Sequence, residues 1–141
     1  MKSKMRLASQ SGHEVSRPIV GIVNDDPDMR GILARVVELA GLTAECHASA
    51  RSFWRNLGAT SISCAIVDAE VSGRRGLAII EGARARGSFF PVFLVATSLD
   101  APESTVAQRL HITVIDKPFD IHALARELGA AARMASRPPA P

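Results

Sequence analysis

Ile62-Ser63-Cys64-Ala65-Ile66-Val67-Asp68 is an apolar run that stops on a carboxylate. It is short, apolar at consecutive positions and β-branched at Ile62, Ile66 and Val67, so it reads as a strand buried on both faces, the kind a parallel sheet requires. The same design recurs upstream, where Pro18 to Val23 breaks off at Asn24, Asp25, Asp26 and Pro27. Downstream it returns twice, as Phe89 to Ala96 running into Thr97 and Ser98, and as Ile112 to Ile115 running into Asp116, Lys117, Pro118 and Phe119. A shorter extended segment, Leu42 to Cys46, completes five expected strands.

Helical spacing fills the intervals. Met29, Ile32, Leu33, Val36, Val37 and Ala40 recur three and four apart on one helical face, and Gly41 follows as a stop signal. Ser49 can cap a helix reaching about Leu57, a loop with Gly73 and Gly76 leads into a helix over Leu77 to Arg86, and Pro102 to Leu110 is a weaker one. A final helix turns Ile121, Leu124, Ala125 and Leu128 inward. Five strands alternating with five helices predict an α/β fold, a five-stranded parallel sheet doubly wound as (βα)5, because parallel neighbours need right-handed crossover connections.

The 141 residues, nearly half of them hydrophobic, suffice for one core without metal or disulfide support. The expected organisation is a disordered head over residues 1–17, one domain over 18–134 and a flexible proline-rich tail over 135–141. Cys46 and Cys64 lack zinc or redox spacing and are expected to be small buried hydrophobes in a reducing cytosol. The head has no apolar stretch of the kind a secretory signal needs, and no run approaches membrane-spanning length, so a cytoplasmic location and no membrane partner are expected. A net charge of only +3, without a helix-turn-helix or interleaved aromatics, argues against direct nucleic-acid binding. His13, His47, His111 and His122 are dispersed without ligand spacing, and Trp54 beside Phe53 reads as helix packing.

Ligands of open α/β sheets bind beyond the carboxyl ends of the strands, where the strand order reverses. Those positions hold Asn24, Asp25 and Asp26, then Asp68, then Ala96, Thr97 and Ser98, then Lys117. Crowded carboxylates repel, so the set makes physical sense with a hard cation such as magnesium among their oxygens. An aspartate beside such a cation can attack a phosphoryl donor while a lysine adds a further positive charge. Each residue also has a blander reading: Asp25 and Asp26 as caps of the following helix, Lys117 as a solvated lysine, and Gly73 and Gly76 as ordinary turn residues.

Taken together, these features resemble the receiver domain of bacterial response regulators, in particular those similar to the nitrogen-fixation and LuxR-type regulators. The resemblance spans roughly Pro18 to Arg133 and rests on four groups of residues. They are Asp25 followed by Pro27, Met29 and Arg30; Asp68 followed by Gly73, Gly76 and Leu77; Pro91 at the fourth strand; and Lys117-Pro118-Phe119. It implies a flavodoxin-like strand order 2-1-3-4-5 and a phosphoryl group accepted by Asp68 from a histidine kinase or a histidine phosphotransfer protein. It further implies magnesium held by Asp25, Asp68 and the backbone carbonyl of Glu70, with Asp26 as a candidate fourth ligand, and Lys117 as the partner of the phosphoryl group. The implied output is contact with a downstream protein target or a homodimer through the face of the fourth helix and fifth strand.

Three positions depart from the family pattern. Asn24 stands where the first of two acidic residues is usual, Ala96 where a hydroxyl senses the phosphoryl group, and Val114 where a switch aromatic is usual. Weaker magnesium affinity is expected from the first, and a relay rebuilt around Thr97 or Ser98 from the others. The alternative is a receiver-like interaction module that ignores phosphorylation. A magnesium-dependent hydrolase would want an aspartate where Glu70 stands, and a flavin carrier would want a glycine- and hydroxyl-rich first loop in place of an acidic one.

Overall fold

The computed structural model describes residues 17–136. The head expected at 1–17 lies outside them apart from Arg17, as does the tail from residue 137 onward.

Five parallel strands form the sheet: β1 (Ile19–Val23), β2 (Thr43–His47), β3 (Ile62–Asp68), β6 (Val92–Ala96) and β7 (Thr113–Asp116), in the spatial order β2-β1-β3-β6-β7. Counting only these five, the order is 2-1-3-4-5, as expected. The helices are α1 (Pro27–Leu39), α2 (Ala50–Asn56), α3 (Gly76–Ala85), α4 (Ala101–Arg109) and α5 (Ile121–Ser136). Among the described residues no helix is long and apolar enough to cross a membrane.

Alternation along β3 divides the core in two. Cys64 and Ile66 face a layer built with Leu33, Val36 and Val37 of α1 and Leu124, Leu128 and Ala132 of α5. Ala65 and Val67 face the other layer, with Phe53 of α2, Ile79, Ile80 and Ala83 of α3 and Ala107 of α4. Both faces of the central strands are therefore dry, and burial pushes the Cys64 thiol up to about 12.

Several local expectations are corrected. The fourth long strand begins at Val92 and not at Phe89, because its pairing with β3 starts at Ala65 opposite Val92; Phe89 lies 75% exposed. The last strand, expected to be buried on both sides, is a sheet edge with Thr113, Val114 and Asp116 exposed. Cys46, expected to be buried, is exposed on the opposite edge strand. The loop after Asp68 contains a two-stranded antiparallel hairpin, β4 (Glu70–Val71) with β5 (Arg74–Arg75), turning through Ser72 and Gly73 at φ 51° and 79°. Its strands are too short to carry a period-two pattern, so only the turn glycine is visible in the sequence.

Candidate functional site at the carboxyl rim of the sheet

Strand register decides which loops meet. Val23 pairs with Val67, Asp68 with Val95, and Ala96 with Asp116, so β1, β3, β6 and β7 end nearly level. The chain leaves β1 for β2 on one side and places β3 on the other, which opens the rim between β1 and β3. Asp25 and Asp68 stand on either side of that opening.

Asp68 closes β3 with its side chain 13% exposed. Its Oδ2 accepts a hydrogen bond from the Glu70 N–H at 3.2 Å. Its Oδ1 lies 2.9 Å from Lys117 Nζ, yet Oδ1 is buried and has no aligned hydrogen bond. The contact is an ion pair whose angles fall short of a hydrogen bond, so the ammonium is the charge partner of Oδ1 and the oxygen keeps room to accept a further ligand. Lys117 follows β7, donates its backbone N–H to the Ala96 carbonyl at 2.9 Å, and precedes Pro118 through a cis peptide bond.

The first loop is built around its departing residue. Asn24 is 3% exposed; its N–H donates to the His47 carbonyl, and its Oδ1 accepts from the Asp26 N–H at 2.8 Å. A neutral amide can be buried in that position with its bonds satisfied, whereas a carboxylate there would be desolvated. Asp26 caps α1 by accepting from the Asp28 N–H at 3.0 Å. Asp25 turns to the rim, where its Oδ2 accepts from the Ser72 N–H at 2.6 Å and from Ser72 Oγ at 3.4 Å.

Glu70 and Ser72 sit two residues apart in the hairpin, so one short segment tethers both the Asp25 and the Asp68 carboxylates. Gly76 lets that segment close on β3: its N–H donates to the Ala69 carbonyl at 2.7 Å, and a Cβ there would overlap the Asp68 carbonyl oxygen. Thr97 is exposed on the bend after β6, while Ala96 is buried and presents only a methyl group. Val114 is 36% exposed on the edge strand.

Two carboxylates, one with a buried oxygen that the Lys117 ammonium faces and no hydrogen bond from the described residues occupies, form a hard-oxygen donor set that suits magnesium. Among the described residues no three His, Cys, Asp or Glu side chains form a cage by themselves, so a cation would complete its shell with backbone oxygen and water, as magnesium habitually does.

Sequence reading missed the part played by His47. It is 6% exposed, with Nδ1 2.7 Å from Ser52 Oγ and Nε2 2.9 Å from Glu45 Oε1. Its own carbonyl holds Asn24, so this buried network braces the first loop. A lone histidine at a strand end gives no local sign of that.

The family description "Response regulator receiver domain" matches residues 20–128. The transcriptional regulatory protein FixJ of Bradyrhizobium diazoefficiens is 26% identical over 115 residues, 81% of this chain and 56% of FixJ. The C4-dicarboxylate transport transcriptional regulatory protein DctD of Rhizobium meliloti is 33% identical over 103 residues, 72% of this chain and 22% of DctD. A solved response regulator receiver protein from Pseudoalteromonas atlantica superposes with a TM-score of 0.76 at 28% identity, covering 84% of this chain and 100% of that one. The chain thus spans about half the length of FixJ. None of these likenesses favours the phosphorylation-independent alternative.

Proposed function

Because this chain belongs to the response regulator receiver domain family, we propose that Asp68 is the acceptor of a phosphoryl group delivered by a histidine kinase or a histidine phosphotransfer protein in the cytoplasm. The observation that carries the reading is the Lys117 ammonium 2.9 Å from a buried Asp68 oxygen at the carboxyl rim of the sheet. An Asp68 oxygen forms the new bond to phosphorus as the donor's phosphorus–nitrogen bond breaks. Lys117 stands ready to pair with the anionic oxygens that arrive.

Asp25, Asp68 and the Glu70 backbone carbonyl would hold magnesium, and Asp26 could join them only by loosening its cap on α1. Bound there, the ion supplies neutralisation of charge on the transferred oxygens. Thr97, the first hydroxyl beyond Ala96, is assigned to sensing the phosphoryl group, since the Ala96 methyl cannot donate a hydrogen bond.

A phosphoryl group on Asp68 competes for the bond that Oδ2 accepts from Glu70, and so bears on the hairpin. Arg75, at the far end of that hairpin, donates to Glu103, which closes the capping box of α4 with Asp100. This gives a route from Asp68 to the face of α4 and β7 that needs neither the hydroxyl nor the aromatic missing at Ala96 and Val114. That face is then the surface for a downstream protein or a second copy of the chain.

Intact mass after incubation with magnesium and acetyl phosphate tests the proposal. The native chain should gain one phosphoryl group, Asp68→Asn none, and Lys117→Ala markedly less. A gain that persists in Asp68→Asn, or no gain in the native chain, ends it.

A further inference from the structure

Away from the rim, on the side of α2 and α3, four arginines surround the chain's single tryptophan. Arg51 and Arg55 of α2, Arg74 of β5 and Arg86 at the end of α3 line, with Trp54, a hollow of about 420 Å³. The Arg86 and Arg74 guanidinium carbons lie 4.4 and 5.1 Å from the indole centroid. The indole is itself fixed, since Trp54 Nε1 donates to the Ile79 carbonyl at 3.0 Å and the ring lies where a Cβ on Gly82 would fall 2.6 Å from it.

What sets this group apart is four guanidinium groups gathered at one hollow. Arg75 pairs with Glu103 and Arg109 with Glu81, whereas among the described residues none of the four has a carboxylate partner. The two stacked guanidinium groups are at most about 10 Å apart, comparable to the Debye length of about 8 Å at physiological salt, so their mutual repulsion is only partly screened. Arg86 Nη1 donates to the Gly82 carbonyl at 2.9 Å, which together with stacking fixes that guanidinium plane. Its remaining N–H groups and those of the other three arginines can meet carboxylates, two bonds at a time where an edge is free.

We propose that this hollow is a docking site for an acidic segment of a partner protein, its clustered carboxylates received by Arg51, Arg55, Arg74 and Arg86. A nucleic acid fits less well, because single strands need a basic track and free aromatic faces, while the indole already carries guanidinium groups. A lipid surface fits less well too, because none of the exposed large hydrophobic side chains belongs to the hollow. The proposal does not depend on phosphorylation of Asp68.

Trp54, as the only tryptophan, reports on its own site. Titration of the full chain with an oligoglutamate peptide should change its fluorescence saturably, less so as salt is raised. Arg51→Gln with Arg55→Gln, two exposed side chains, should raise the half-saturating concentration about tenfold while circular dichroism stays native. Arg74→Gln should weaken binding in the same direction. Absence of saturable binding, binding indifferent to the arginine variants, or tighter binding of an oligothymidylate of equal charge would each overturn the proposal.

Discussion

The Ser72 N–H donates to Asp25 Oδ2 at 2.6 Å, joining residues 47 apart in sequence. Asp68 is held by the same hairpin through Glu70, so the two rim carboxylates are positioned by one short element and not by their own strands alone. Any change that displaces this hairpin should therefore disturb both carboxylates together.

Asn24→Asp places an anion at a position 3% exposed to solvent. Without a divalent ion the variant should melt below the native protein, because a desolvated carboxylate is costly. With magnesium the order should narrow or reverse, since a unit-charge pair at ~5 Å is worth about 3 kcal/mol at an effective dielectric of ~20, before desolvation, and a divalent ion doubles the attraction. Calorimetric titration should show tighter magnesium binding in the variant, and equal affinities would remove Asn24 from any account of the metal.

Gly76→Ala forces a methyl group against the Asp68 carbonyl oxygen and within 2.9 Å of Leu94. Overpacking of this kind costs about 1–3 kcal/mol, and here it should also lower phosphoryl acceptance. Gly31→Ala is the contrasting change, with nothing within 4 Å of the new Cβ on an exposed helix position. It should raise stability by about 0.5–1 kcal/mol in denaturant unfolding and leave acceptance unaltered.

Arg75→Gln removes the link from the hairpin to Glu103 of α4. Acceptance by Asp68 should survive, while the response of the α4 and β7 face, read as hydrogen exchange of α4 with and without a phosphoryl analogue such as beryllofluoride, should shrink. An undiminished response in α4 would show that the signal leaves by another path.

Glu45 should contribute to acid lability. Burial raises its pKa, but hydrogen bonds from His47, Asn56 and Thr60 outweigh that, and the net shift is downward from 4.5. A depressed folded-state value means the stabilisation is fully present above the ordinary glutamate value and is lost as pH falls through the lower one. Glu45→Gln should therefore flatten the acid limb of a stability-versus-pH curve, and a curve of unchanged slope would assign the limb to other carboxylates.

Sheet and helices were legible in the chain because consecutive apolar residues and helical spacing record, locally, which faces must be dry. The rim was legible for a related reason: Asp25, Asp68 and Lys117 each stand within two residues of the end of such a run, and parallel strands bring their ends to one edge. What no local pattern encodes is the partner of each polar atom. Asn24 bonding to the His47 backbone, Ser72 holding Asp25, Arg75 reaching Glu103, and the arginines of α2, β5 and α3 gathering round Trp54 all join segments whose separation in sequence says nothing of their distance in space. Hydrophobic burial is set by the average character of a stretch of residues and so can be read from the chain, whereas hydrogen bonds and ion pairs act over a few ångströms between particular atoms, and only the folded packing decides which atoms those are.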